Sequence, residues 1–233
     1  MRAFNSADAL APNAVLARLL ERQEVELHDG RRKPLFPTGL QAHRGAYLFD
    51  LIRSRRPALT LEVGFAYGIS TLYICEALRQ NGTGHHIVID PHERSHFDGV
   101  GLRHLEEADL TSLATFYEEP AELRLPKLVE EGVVADFAFD DSDHLFDHVI
   151  TEFLFLARLL RKGGILVFDD VGLPGVGRAV DFVATNRPDF VETGRESQWQ
   201  MLFSRIPAPP KGLRVFRKIA DDDPRRWDDF TPF

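Results

Sequence analysis

The chain has 233 residues, 44% hydrophobic and 27% charged, which is enough apolar material for a substantial core in one soluble domain, with room for an arm. Lys and Arg number 28 against 36 Asp and Glu, a formal net charge of -8 that argues against gripping nucleic acid or a membrane by bulk electrostatics. Cys75 is the single cysteine, so an intrachain disulfide framework and a cysteine-based zinc site are excluded and a reducing compartment fits. Apolar runs such as 153–157 are far too short to span a bilayer. The first twelve residues carry Arg2, Asn5 and Asp8 with no apolar stretch, so no secretory signal is read and a cytoplasmic location is expected.

Residues 11–27 place Val15, Leu16, Leu19 and Leu20 at helical spacing, and residues 38–55 repeat the pattern with Leu40, Tyr47, Leu48, Leu51 and Ile52. The Gly, Pro and charge density of 28–39 marks a loop, and Pro57 closes the second helix. From residue 59 short apolar strands alternate with helices. Strands are predicted at 59–64, 85–90, 113–117, 133–139 and 165–169, with helices at 69–79, 98–108, 120–131, 145–161 and 175–187. Lys162-Gly163-Gly164 reads as a C-cap for the helix before it. After Pro188 three candidate strands follow, 190–194, 200–205 and 213–219, of which two are expected to form an antiparallel hairpin. The predicted organisation is a helical cap over 1–56, a doubly wound, mostly parallel α/β domain over 57–219 with helices on both faces, and an acidic, aromatic tail over 220–233.

In doubly wound sheets ligands bind at the carboxyl ends of the strands. Here those ends carry Glu62 and Gly64, Asp90, Glu118, Asp140 and Asp141, and Asp169 and Asp170. The segment Leu61-Glu62-Val63-Gly64-Phe65-Ala66-Tyr67-Gly68-Ile69-Ser70-Thr71 runs a strand through a glycine turn into a helix. Gly64 and Gly68 allow close backbone approach, and the helix start offers free N–H groups to a carboxylate or phosphate. The spacing is neither that of a dinucleotide fingerprint nor that of a P-loop. A tight turn with no ligand is the bland alternative. Asp90 ends the next strand, where a carboxylate can accept both ribose hydroxyls of an adenosine cofactor.

These residues resemble the cofactor loop of class I S-adenosylmethionine-dependent methyltransferases, in particular small O-methyltransferases of the catechol and caffeoyl-CoA type. The later segments, FAFDDSDHLFDHV and LLRKGGILVFDDVGLPGVGRAVDF, resemble the second half of that family and are most similar to its macrolide-sugar O-methyltransferase branch. The resemblance covers roughly residues 38–190. It implies a sulfonium cofactor whose methionine end is held by Glu62 and the Gly64–Gly68 turn, Tyr67 included, with Ser70 near its carboxylate, Asp90 on the ribose and Glu118 at the next strand exit.

Asp141 and the pair Asp169-Asp170 end two further strands. Neighbouring parallel strands lie about 5 Å apart, so these carboxylates can converge on a hard cation such as Mg²⁺. The resembled families place a divalent metal here, and where the catechol type has Asp-Asn this chain has Asp-Asp, which leaves the third ligand open. The alternative is that the pair caps the following turn. His144 occupies the position of the catechol type's proton-accepting lysine, and an imidazole beside a cation suits general-base work near neutrality. Its bland reading is a buttress for the helix that follows.

Asp140 to Asp143 lack the glycine of a Ca²⁺ loop, His92 and His96 read as loop histidines, and Cys75 as core. Trp199, Trp227 and Phe230 read as packing or docking groups. The sequence therefore predicts an O-methyltransferase acting on a small hydroxylated metabolite. Its partners are that acceptor and, by family analogy, a second copy in a homodimer; neither nucleic acid nor membrane is expected. Two other readings stand beside it: a metal-independent methyltransferase on another acceptor, and a non-catalytic adenosine-cofactor binding protein.

Overall fold

The computed structural model describes residues 10–193 and 208–233. Its internal contacts divide the chain into two units, residues 1–120 and 121–233.

In the first unit, helix α1 (Ala14–Arg22) begins where Asn13 Oδ1 accepts the Leu16 N–H at 2.9 Å, and it buries Val15, Leu16 and Leu19. The predicted helix over 11–27 stops at Arg22, because Gln23 turns left-handed (φ 59°). Glu24–Glu26 (β1) then pairs antiparallel with Arg32–Pro34 (β2). Only Val25 of β1 is buried, so the polar-apolar-polar alternation of a strand outcompeted the helical period. Helix α2 (Ala42–Arg55) follows, ending at Arg56 in the left-handed region just before Pro57, which disfavours helical geometry in its predecessor. Gly45 lets α2 lie against α3 (Ile69–Asn81): a Cβ there would stand 2.2 Å from the Tyr73 ring. Strands β3 (Leu59–Val63), β4 (His85–Ile89) and β5 (Ala114–Tyr117) are parallel, and Leu61 pairs with Ile87 and Val88 with Phe116. Helix α4 (Val100–Glu107) lies between β4 and β5 in the chain. Cys75 is buried, as expected.

The second unit contains α5 (Ala121–Glu130), β6 (Ala135–Asp140), α6 (Phe146–Leu159), β7 (Leu160–Phe168), α7 (Pro174–Asn186), β8 (Phe190–Glu192) and β9 (Arg214–Lys218). β6 and β7 are parallel, β9 is antiparallel to β7, and β8 is antiparallel to β9. The expected hairpin is therefore built from 190–192 and 214–218, while 200–205 and Trp199 lie outside the described residues. Phe137, Phe139, Phe153, Phe168 and Phe216 fill the interior. Parallel strands alternating with helices, finished by antiparallel pairing at the C-terminal strands, form the Rossmann-like α/β architecture that the alternation predicted.

The predicted Gly C-cap of α6 is corrected. Lys162, Gly163 and Gly164 lie inside β7, at a register shift in which Ala135 pairs with Leu160 but Phe137 with Ile165. The helix ends instead under a side chain from distant sequence. The buried Lys218 ammonium donates to Ala157 O at 2.7 Å and Leu160 O at 2.8 Å, supplying the donors that the last carbonyls lack.

The tail docks on its own chain. Asn186 donates to Thr231 O at 2.8 Å and accepts the Thr231 N–H at 2.7 Å, and the Phe233 ring meets Phe182 edge-on under Arg178. Trp227 is 94% exposed and packs nothing in.

Candidate active site

The residues singled out from sequence fall into two groups, one in each unit. The first surrounds the glycine turn after β3. Gly64 has φ 92° and Gly68 φ 73°, conformations open to glycine without strain. The Gly64 N–H donates to Ile89 O at 3.0 Å, which ties the turn to β4. Asp90 holds it from the other side: Oδ2 accepts the Phe65 N–H at 2.8 Å and the Ala66 N–H at 3.0 Å, while Oδ1 accepts that of His92 at 2.7 Å. α3 begins at Gly68, with no side chain capping it, so its first N–H groups are left for another acceptor. Ser70 is buried in that first turn.

Gly68 was singled out for close approach to a ligand. On its Cβ side the near neighbours are Gly101 and the Phe65 ring, whose Cα and Cε2 would each stand 3.1 Å from an added Cβ. Tyr67 is buried, its carbonyl accepts from His104 Nδ1 at 2.9 Å, and its ring meets Phe97 edge-on. Glu118 accepts the Arg94 N–H at 2.9 Å and pairs with the Arg94 guanidinium.

Glu62 is fully buried, and its Oε2 accepts from the Thr71 hydroxyl and lies 2.7 Å from His86 Nε2. His86 Nδ1 in turn lies 2.7 Å from Thr60 Oγ1. Glu62 Oε1 has no partner among the described residues. An orphaned carboxylate oxygen and an uncapped helix start suit the ammonium and carboxylate of an amino-acid moiety. Sequence reasoning missed His86, because its alignment with Glu62 depends on strand register. It also missed Glu93, which is fully buried, accepts the Leu102 N–H at 3.1 Å at the start of α4, and is pushed by burial up to about 7.

The second group lies at the ends of β6 and β7. Asp141 Oδ1 is 3.5 Å from His144 Nε2, which is 3.4 Å from Asp170 Oδ2, and ligand atoms of all three residues lie within 4.8 Å of one another. His144 (φ 61°) and Asp170 (φ 48°) are left-handed, a costly geometry for residues other than glycine and one that clusters at functional sites. The hydrogen bond that His144 donates to Asp141, with the charges of Asp141, Asp170 and Asp169, holds the imidazole above its ordinary pKa against the opposing effect of burial.

Asp169 is not in this trio. It is buried, its N–H donates to Asp140 O at 3.0 Å, and its Oδ1 accepts the Asp170 N–H at 2.6 Å, an arrangement that orients Asp170. Gly175, in the first turn of α7, abuts the 144–146 loop: a Cβ there would lie 2.8 Å from His144 O. Behind the loop, Glu152 of α6 is buried and accepts the Ser142 hydroxyl at 2.5 Å. Burial, with the charge of Glu152 beside it, holds Asp140 well above the usual carboxylate range. The two carboxylates are hard oxygen donors suited to Mg²⁺ or Mn²⁺, and the imidazole beside them can accept a hydroxyl proton when it is neutral and not itself a ligand.

Residues 61–171 match the family described as a methyltransferase domain. Over that stretch the chain is similar to a methyltransferase domain. The chain is 28% identical over 127 residues to a rhamnosyl O-methyltransferase of Mycobacterium bovis, an alignment covering 54% of this chain and 51% of that protein. It is 32% identical over 131 residues to a catechol O-methyltransferase of Niastella koreensis, covering 55% and 56%. The chain thus spans about half the length of the curated relatives it matches. Its fold is similar to that of the O-methyltransferase TomG from Streptomyces achromogenes, solved in complex with SAM, with a TM-score of 0.64, 22% identity, and 93% and 92% of the two chains covered. The resemblance to small class I O-methyltransferases, stated from the motifs, is borne out by these matches. Among the described residues no helix is long and apolar enough to cross a membrane.

Proposed function

We propose that the chain is an S-adenosylmethionine-dependent O-methyltransferase acting on a hydroxyl of a small metabolite, with a divalent cation aligning the acceptor. The observation that carries this reading is the gathering of Asp141, His144 and Asp170 within 4.8 Å in a chain whose residues 61–171 match a methyltransferase domain.

In this reading the glycine turn and the start of α3 bind the amino-acid end of the cofactor, with Glu62 Oε1 taking its ammonium and Ser70 near its carboxylate. Asp90 holds the turn through three of its lone-pair sites and keeps one, on Oδ1, for a ribose hydroxyl. Asp141 and Asp170 supply hard oxygen donors, and Asp169 steadies Asp170. A cation held there would supply Lewis-acid activation of the acceptor hydroxyl. His144 Nε2 takes the hydroxyl proton as the acceptor oxygen takes the methyl group. The surrounding acids raise the pKa of this imidazole, and positive charge beside them would offset that effect.

The test is methyl transfer from S-adenosylmethionine to a panel of hydroxylated sugars and catechols, followed by mass spectrometry before and after chelation and Mg²⁺ re-addition. A methyl ether that disappears on chelation is expected. Failure to bind S-adenosylhomocysteine in calorimetry would defeat the cofactor reading. Turnover indifferent to chelation and to Asp170→Ala would defeat the metal reading alone.

A further inference from the structure

Glu152 is the one charged side chain on the buried face of α6, among Val149, Phe153, Leu156, Ala157 and Leu159. Nothing in helix formation asks for a carboxylate there, since an apolar residue would bury more favourably in the same place. Its partner explains it. The carboxylate accepts the Ser142 hydroxyl at 2.5 Å. Ser142 directly follows Asp141, so one side chain on a rigid helix holds the strand exit beside a candidate ligand. His144 follows in a left-handed turn with Nε2 3.5 Å from Asp141 Oδ1. Its direction therefore depends on where that gripped segment is held.

We infer that Glu152 is a positioning residue that fixes the Asp141–His144 loop by holding Ser142. The inference rests on reading Asp141, His144 and Asp170 as the acceptor-side group, and it adds the support that keeps them in register. Outer partners of ligating groups typically alter metal affinity about 10- to 100-fold.

Two measurements on Glu152→Leu and Glu152→Gln test it. Hydrogen exchange of metal-free protein is expected to show faster exchange in the 140–146 segment of Glu152→Leu, with the rest of the unit and Tm at wild-type values. Glu152→Gln, whose carbonyl still accepts the Ser142 hydroxyl, should restore most of the protection. Mn²⁺ binding, followed by the electron paramagnetic resonance signal of the free ion, should weaken about tenfold or more in Glu152→Leu. S-adenosylhomocysteine affinity should stay unchanged. Unaltered exchange over 140–146, or faster exchange across the whole unit with a lower Tm, would overturn the clamp. Wild-type protein that binds no Mn²⁺ would defeat the metal reading, and the exchange result would still decide the role of Glu152.

Discussion

His86 Nε2 lies 2.7 Å from Glu62 Oε2, and both side chains are fully buried. Thr60 holds the far side of the imidazole and Thr71 donates to the same Glu62 oxygen, so a polar ladder crosses β3 and β4 directly beneath the glycine turn. Removing the imidazole leaves buried oxygens short of partners. His86→Leu is expected to cost about 1–3 kcal/mol, read as a lower denaturation midpoint. It should also weaken S-adenosylhomocysteine binding in calorimetry, since Glu62 loses one of the groups that orient it.

Asp90 tests the other wall of the turn. Its two oxygens accept three backbone N–H groups, from Phe65, Ala66 and His92. Asp90→Ala strands those donors and frees the loop, so a loss of about 2–3 kcal/mol is expected, with cofactor affinity falling more than tenfold. Unchanged affinity would place the ribose elsewhere.

Glu93 makes stability depend on pH. Its folded pKa is raised to about 7 by burial, so the protonated form is favoured in the folded state. The stabilisation linked to that proton is present below the unfolded glutamate value and is lost as pH rises through about 7. Glu93→Gln keeps an acceptor for the Leu102 N–H and removes the ionisation. Urea midpoints of the variant should hold up better than wild type between pH 5 and 8, by no more than about 3 kcal/mol. Parallel midpoints across that range would show that Glu93 is not buried as a carboxyl.

Gly175 sets the position of the 144–146 loop. A methyl group there would meet His144 O at 2.8 Å and Phe146 N at 3.2 Å, both backbone atoms. Overpacking of this kind costs about 1–3 kcal/mol. Gly175→Ala should lower Tm modestly and depress turnover more than cofactor affinity, because it displaces His144 and leaves the glycine turn alone.

The same contrast between near and distant neighbours explains what could be read from the chain. The alternation of strands and helices, the turn at Gly64–Gly68 and the acids at the strand exits are local patterns, legible because each needs only a few consecutive residues. Val25 shows where locality misleads: the helical period ran on past Arg22 while a three-residue strand had already begun. The C-cap assigned to Lys162-Gly163-Gly164 failed for a different reason. The donors that terminate α6 come from Lys218, dozens of residues away.

The acids at the strand exits were visible in sequence, but their division of labour was not. By itself the sequence determined the α/β class, the glycine turn and a surplus of carboxylates after the strands, since these follow from periodicity and backbone freedom. Tertiary structure decided that Asp141 and Asp170 meet at His144 while Asp169 turns inward to hold the Asp170 N–H. It also placed Glu152 behind the loop and His86 beside Glu62. A carboxylate's role depends on which donors reach it, and those donors arrive through strand register and helix packing that no local pattern encodes.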